Sequence, residues 1–296
     1  MFTRIDHVMI CVPDLQRGIE QYRRMGFDIH PGGVHTGKGT HNAIAFNRED
    51  YIELLAICDR TEHEAEARTP GSSRAGLAEF IAVGGGMRYV ILQSDDLAAD
   101  VAAMRRRGVD VGDAYDAGRR TPDGRELRWK AASLGPKNPL PIFFIQHVTP
   151  VEERRRQIPA AGSHPNGVYA IARAYIAVED AAASAAIYAK VLGMPQPPSH
   201  QGTVIMADMA VFDLGPTGLA VVQPYAPGPA ADALKRRGPG PFQALYRTTS
   251  MGAATRWMEA HGLPSPARGT RSSGESAMLV HPNDACGVHI GFVGPE

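Results

Sequence analysis

The feature that most restricts how this chain can fold is a pattern that recurs along it. An apolar run ends in a turn closed by an acidic residue, a helix follows, and further short apolar runs come after. The pattern first covers residues 5–57. Ile5-Asp6-His7-Val8-Met9-Ile10-Cys11-Val12 reads as a buried strand. Asp14 then stands where a helix N-cap belongs, and Gly26 where a helix stops. Between them Leu15, Ile19 and Tyr22 recur at helical spacing, with Gln16, Arg17, Glu20 and Arg23 in the intervals. Runs at 42–47 and 51–57 supply further strands.

The same order returns downstream. Residues 87–93 read as a strand, Ser94-Asp95-Asp96 as a turn and cap, and 97–107 as a helix stopped by Gly108. Strands at 127–132 and 142–148 follow, with Pro122-Asp123-Gly124 as a turn. A third copy has a strand at 170–178, a turn at Glu179-Asp180, a helix over 181–192 ended by Gly193, and strands at 206–214 and 219–223. A fourth, weaker copy runs through 242–248, 251–261, 277–280 and 287–293. Repetition of this kind is architectural in origin, because each unit must bury its apolar face against another. The charged, then Pro/Ala/Gly/Ser-rich stretch 149–166 reads as a linker, with a possible helical turn at its start. The segment 59–73 is polar, and 75–83 is expected to be helical. Gly84-Gly85-Gly86 precedes a strand instead of a helix, so it reads as a hinge and not as a phosphate loop.

Bulk properties narrow the function. At 296 residues the chain has room for two domains or one large one. Lys+Arg and Asp+Glu are equal at 31 each, which argues against a nucleic-acid or anionic-membrane binder. No stretch is apolar for long enough to span a bilayer, and no basic leader precedes an apolar core. Cys11, Cys58 and Cys286 form no close-spaced cluster and read as reduced packing residues, so a cytoplasmic location is expected.

His7 and Glu53 are polar groups inside strands that otherwise look buried. By alternation His7 shares a face with Ile5, Met9 and Cys11, while Glu53 shares one with Tyr51 and Leu55. A carboxylate among apolar neighbours is costly unless it is paired, hydrogen-bonded or on a metal. A salt bridge or a solvated sheet face accounts for the pair as well as a metal does.

Taken together, IDHVMICVPD with His7, Gly26-Phe27, GTHNAIAF (39–46), YIELLAI with Glu53, TPDGRELRW (121–129) and LPIFFIQ (140–146) resemble the vicinal oxygen chelate superfamily, and within it the glyoxalase-like domain group. The likeness covers residues 1–148 best. It implies an α+β fold of four βαβββ modules, paired into two half-open-barrel glyoxalase-like domains. These are 1–148, carrying a metal site, and 167–296, degenerate, with the linker 149–166 between them. It also implies His7 and Glu53 as metal ligands. Gln146 takes the place of Glu53 in the second module if FFIQ aligns with YIEL, with His147 on the opposite face unless a bulge intervenes. Tyr89 falls near the first-strand ligand position, where the family usually has His, Glu or Gln. His41 is an alternative ligand or a proton-transfer group, and Glu53 could also move a proton.

Such a site suits Mn²⁺, Fe²⁺ or Mg²⁺, with Zn²⁺ or Ni²⁺ also possible. Arg119, Arg120 and Arg128 flank the TPDG turn, and Arg120, Arg128 and Tyr89 are candidate substrate contacts; a plain surface cluster is the other explanation for the arginines. In the second half Arg173 stands in the place of His7, Gln223 near that of Glu53, and Gly291 near that of the last ligand, a metal-poor set. His289 shares the face of Gly291 and reads as a ligand contact or a satisfied core group. The expected activity is that of a metal-dependent lyase or isomerase of a small oxygenated molecule, or, less favoured, a ring-cleaving dioxygenase. The alternative is a non-catalytic binding or resistance protein. The partner is a small-molecule substrate, with a homodimer left open.

Overall fold

The computed structural model describes residues 1–69, 72–156 and 163–296. The chain begins with β1 (Phe2–Cys11), α1 (Leu15–Arg24), β2 (His30–His35), β3 (Thr40–Phe46) and β4 (Tyr51–Ile57). Helices α2 (Arg60–Ala67) and α3 (Leu77–Ala82) lead to β5 (Gly86–Ser94), α4 (Leu97–Arg106), β6 (Tyr115–Arg120), β7 (Glu126–Ser133) and β8 (Ile142–His147). The expected linker 149–166 holds α5 (Val151–Arg155), while its residues 157–162 lie outside those described. The second half repeats the order as β9 (Val168–Ala177), α6 (Ala181–Leu192), β10 (Ser199–Gly202), β11 (Ala207–Leu214) and β12 (Thr217–Pro224). After α7 (Pro229–Arg237) come β13 (Gly240–Thr248), α8 (Met251–Ala260), β14 (Ala267–Thr270), β15 (Ser276–Val280) and β16 (His289–Val293).

The four equivalent helices start the same way. Asp14, Asp96, Asp180 and Ser250 each accept a hydrogen bond from the backbone N–H three residues on, at 2.9–3.0 Å. Each cap satisfies a donor that a helix start would otherwise leave unpaired. The polar stretch 59–73 holds a helix that its composition hid, α2, which Asp59 caps through the N–H of Glu62.

In the first half β1 pairs parallel with β4 and antiparallel with β5, and β5 pairs parallel with β8. The strand order β1-β4-β3-β2-β6-β7-β8-β5 closes on itself. Where half-open barrels are expected, this one shuts through a single residue pair, Val34 with Arg120. Gly33 makes that approach possible: its φ is +140°, and a Cβ there would lie 2.2 Å from the Arg120 carbonyl oxygen. The second half builds the matching eight-stranded sheet but leaves β10 and β14 as free edges.

Val8, Ile10 and Val12 turn away from the barrel lumen and pack with Leu15, Ile19 and Tyr22 of α1. This layer continues into the second half through Ile171, Ala174, Tyr246 and Phe292, so the two halves share one core. Phe27 sits at the joint, with ring centroids 5.5 Å from Tyr246 and 6.1 Å from Phe292. Polar contacts cross it as well: Thr217 Oγ1 accepts from Ile5 N at 2.8 Å, and the Asp50 carboxylate accepts from Ile171 N at 3.0 Å. No helix among the described residues is long and apolar enough to cross a membrane.

Candidate functional site

The closed barrel surrounds a cavity of about 380 Å³. One part of its wall is polar. A bulge in β1 between Ile5 and His7 breaks the alternation expected from the sequence. Ile5 joins Val8 and Ile10 in the outer core, and Asp6 and His7 bond to one another. Asp6 is fully buried. Its Oδ1 lies 2.7 Å from His7 Nδ1 and its Oδ2 lies 2.7 Å from His147 Nε2. Burial alone would raise its pKa, but the charges and hydrogen bonds of His147 and His7 outweigh that and hold it well below the usual carboxylate range.

Glu53 shares this wall. Its Oε2 lies 3.4 Å from His7 Nε2, its Oε1 lies 3.8 Å from His35 Nε2, and Oε1 also accepts from Asn42 Nδ2 at 2.6 Å. Burial opposes ionisation of Glu53, yet His7, His35 and Asn42 bring its pKa down to about 2. His7 is pulled down by burial and raised more strongly by Asp6 and Glu53. His35 goes the other way: burial lowers it to about 4, so it is neutral at neutral pH, with Nδ1 3.1 Å from Thr40 Oγ1. The His7 ring lies flat against Tyr51, with centroids 4.2 Å apart.

The other candidates fall as follows. Gln146 is turned away from Glu53: its Oε1 accepts from Leu97 N at 3.0 Å and its Nε2 donates to Asp95 O at 2.9 Å, so it caps α4. With the helix starts Leu15 and Leu97 superposed, Ile91 stands for Met9, and its partner Phe143 holds the place of Glu53, three residues before Gln146. Ile145 and His147 line the cavity instead, in simple alternation. Tyr89 does not line it; its ring packs edge-on against Phe143 at 4.5 Å. His41 does not line it either: Asn42, Ile44 and Phe46 take the inner face of β3, and His41 alternates to the other side. Arg120 and Arg128 are exposed, and Arg128 pairs with Glu126 at 2.8 Å; Arg119 is the member of that cluster that turns inward.

His35, Asn42, Asp6 and Arg154 were not expected at the site. His35 lies in HPGGVH, whose Pro and Gly residues hide the strand β2. As the side chains stand, no group of three or more His, Cys, Asp or Glu among the described residues is arranged to hold a metal ion. His7, His35 and Glu53 all line the cavity, with the Glu53 carboxylate facing both imidazoles.

In the second half a space of about 380 Å³ lies against α7, β15 and β16, lined by Asp232, Arg236, Leu279 and His289, and not within the curve of the sheet. The sheet's concave side leaves about 30 Å³, walled by Tyr175, Ile205, Met209 and Leu245. The Arg173 guanidinium lies over the Tyr175 ring at 5.9 Å. Gln223 caps α6 through Ala181 N at 3.1 Å, as Gln146 caps α4, and Ala220 rather than Gln223 takes the register place of Glu53. His289 is buried and lowered to about 4 by that burial.

The family profile of the glyoxalase-like domain matches residues 5–192. No curated protein matches the sequence. Among solved structures, a hypothetical protein from Staphylococcus aureus is 14% identical, with a TM-score of 0.69 over 99% of both chains. A mutant of 4-hydroxymandelate synthase from Streptomyces coelicolor is 13% identical, with a TM-score of 0.67 over 100% of this chain and 94% of that one. A fusion of a xylose isomerase-like TIM barrel with a 4-hydroxyphenylpyruvate dioxygenase is 11% identical, with a TM-score of 0.57 over 99% of this chain and 49% of that one. At these identities the likeness is one of fold.

Proposed function

The chain belongs to the glyoxalase-like domain family, within the vicinal oxygen chelate superfamily, and from that premise we propose that it is an enzyme acting on a small oxygenated molecule in the first barrel, with one divalent cation held by His7, His35 and Glu53. The supporting observation is that two imidazole Nε2 atoms converge on one carboxylate while each ring is tied from behind, His7 by Asp6 and His35 by Thr40. Outer partners of this kind orient metal-binding histidines. Neighbouring donors on one ion stand about 3–3.5 Å apart at ordinary bond lengths. The 3.4 Å separation already fits, and the 3.8 Å one needs a small closing movement. When bound, the cation would polarise a substrate oxygen as a Lewis acid.

The protein's own groups then handle the proton. Asp6 accepts the Nε2 proton of His147, which leaves Nδ1 as the basic nitrogen, buried and without a protein partner. In this reading His147 takes a proton from the substrate at Nδ1 and returns it, and Asp6 stabilises the imidazolium formed between the two steps. Asn42 fixes Glu53, Tyr51 fixes the plane of His7, and Ile44, Ile91 and Phe143 keep water from the reacting atoms. Proton transfer of this kind is isomerase or lyase chemistry. The donor set of two imidazoles and one carboxylate favours a second reading, an iron oxygenase; substrate-dependent oxygen uptake would single it out.

Metal analysis of protein purified without chelators is the first test. We expect about one divalent ion per chain, bound at neutral pH where the ligands are free to deprotonate. It should be lost in His7→Ala, weakened in His35→Ala, and kept in His41→Ala and Gln146→Ala, with circular dichroism unchanged. A metal-free chain, or full metal content in His7→Ala, leaves the non-catalytic binder as the better account.

A further inference from the structure

We propose that the barrel cavity takes a small organic acid, its carboxylate held between Arg119 and Arg154 and its apolar body against Phe46, Trp129 and Phe143. The inference names the ligand class of the site described above and rests on that cavity being the functional one, but it does not depend on the metal.

The argument starts from uncompensated charge. Arg119 and Arg154 both line the cavity, and each is only 7% exposed. A buried guanidinium carries a large desolvation cost and is ordinarily matched by a carboxylate. Neither has one here. Among the described residues Arg119 and Arg154 make no ion pair, and residues 70–71 and 157–162 contain no Asp or Glu. Arg119 donates Nη1 to the Gly32 carbonyl, and its remaining donors have no acceptor among the described residues. Among the described residues the Arg154 side chain makes no hydrogen bond, and its Nε is fully buried without a partner there.

Glu53 does not supply the missing charge, because it already faces His7, His35 and Asn42. Burial lowers the pKa of Arg119, Tyr51 and Glu53 oppose that, and Arg154 adds to it. Arg119 is fixed by β6 at the barrel seam and Arg154 by α5, whose chain leads into the second half. Two forked donors from different elements, lining one cavity, suit a planar acceptor with two oxygens. Beside them Phe46, Leu127, Trp129, Phe143 and Ile145 give the lining an apolar part, which a free inorganic anion would not use and an acid with an apolar body would.

Trp129 lies in the wall and reports binding through its fluorescence, read in a Trp257→Phe background because the chain has two tryptophans. The probes are phenylacetate, 4-phenylbutyrate and hexanoate, their primary amides, and inorganic phosphate, each titrated into chelator-treated and metal-loaded protein. The acids should bind saturably and at least about tenfold more tightly than their amides, the margin expected when a charge-assisted pair is lost. Arg154→Met should bring the acids to the affinity of the amides without changing amide binding or lowering the melting temperature, and Arg154→Lys should fall between.

Equal affinity for acid and amide, unchanged acid binding in Arg154→Met, failure of every acid to bind at millimolar concentration, or saturation by phosphate in preference to the acids would each overturn the proposal. The two readings fail separately. A metal-free chain that still prefers acids removes the cation alone. A metal-loaded chain that ignores the acid group removes the carboxylate clamp alone.

Discussion

Asp6 is the residue on which the polar wall of the barrel turns. It is fully buried, yet its two oxygens are each shared with an imidazole, so its charge is matched on both sides. Removing one member of such a group leaves the others buried and unpaired, at a cost of about 3–5 kcal/mol. Asp6→Ala should therefore lose stability of that order in urea titrations. Gln146→Ala should behave differently although it lies beside His147. Its loss leaves Leu97 N without its acceptor while Asp96 still caps α4, which costs about 1 kcal/mol, and it leaves metal content unchanged. A large stability loss or a lost metal in that variant would show that Gln146 does more than hold a helix start. His7 and Glu53 were legible because a His and a Glu stand out inside apolar strands. Asp6 was not, because it comes to lie behind His7 and His147 only through a bulge that no residue type announces.

At the scale of elements, the weakest seam of the barrel is where β2 meets β6. One residue pair joins them, whereas the register of β1 with β5 spans Phe2 to Cys11. Native-state hydrogen exchange should therefore find the amides of β2 and β6 opening at lower free energy than those of β1 and β5. Gly33→Ala should widen the gap. Its Cβ would meet the Arg120 carbonyl at 2.2 Å in a backbone region that disfavours side chains, a strain of roughly 1–3 kcal/mol. If β2 exchanges as slowly as β1 in that variant, the seam is not what limits closure. The helix of each module and the longer strands could be read in advance because capping and alternation are local; α2 and α7, in polar and Pro/Gly-rich stretches, could not. β2 could not, since HPGGVH has neither, and His35 was hidden with it. β8 was recognised as a strand, but its register was three residues out, which put Gln146 rather than Phe143 in the place of Glu53.

At the scale of the whole molecule, a buried polar knot ties the two halves together. Asn47 donates to Asp50 Oδ1 and its Oδ1 lies 3.0 Å from His164 Nε2; Asp50 accepts from Ile171 N of β9, and His164 Nδ1 accepts from Asp28 N. Burial raises Asp50 to about 7, against the pull of Asn47 and Ile171, and lowers His164 to about 4. The two act on stability with opposite signs. Asp50 binds its proton more tightly folded than unfolded, so its contribution is full below about pH 4 and is lost as pH rises towards 7. His164 binds its proton less tightly folded, so its contribution is full above about pH 6.5 and is lost as pH falls towards 4. In the natural chain they largely offset one another. Asp50→Asn should make stability fall with acidification from pH 6.5 to 4, and His164→Gln should make it fall with rising pH from 4 to 7. Chemical denaturation at a series of pH values checks both, and parallel profiles for the two variants would disprove the opposition.

The amino-acid order alone determined the modular plan, the helix starts and the polarity of His7 and Glu53, because caps, alternation and repetition act between residues close in sequence. Only the tertiary structure decided that the first sheet closes and the second stays open, that His35 and His147 join the wall and Gln146 leaves it, and that Arg119 and Arg154 face one space. Those outcomes depend on a bulge, a register and a single seam between distant strands, where small differences in packing choose which side of a strand meets the cavity.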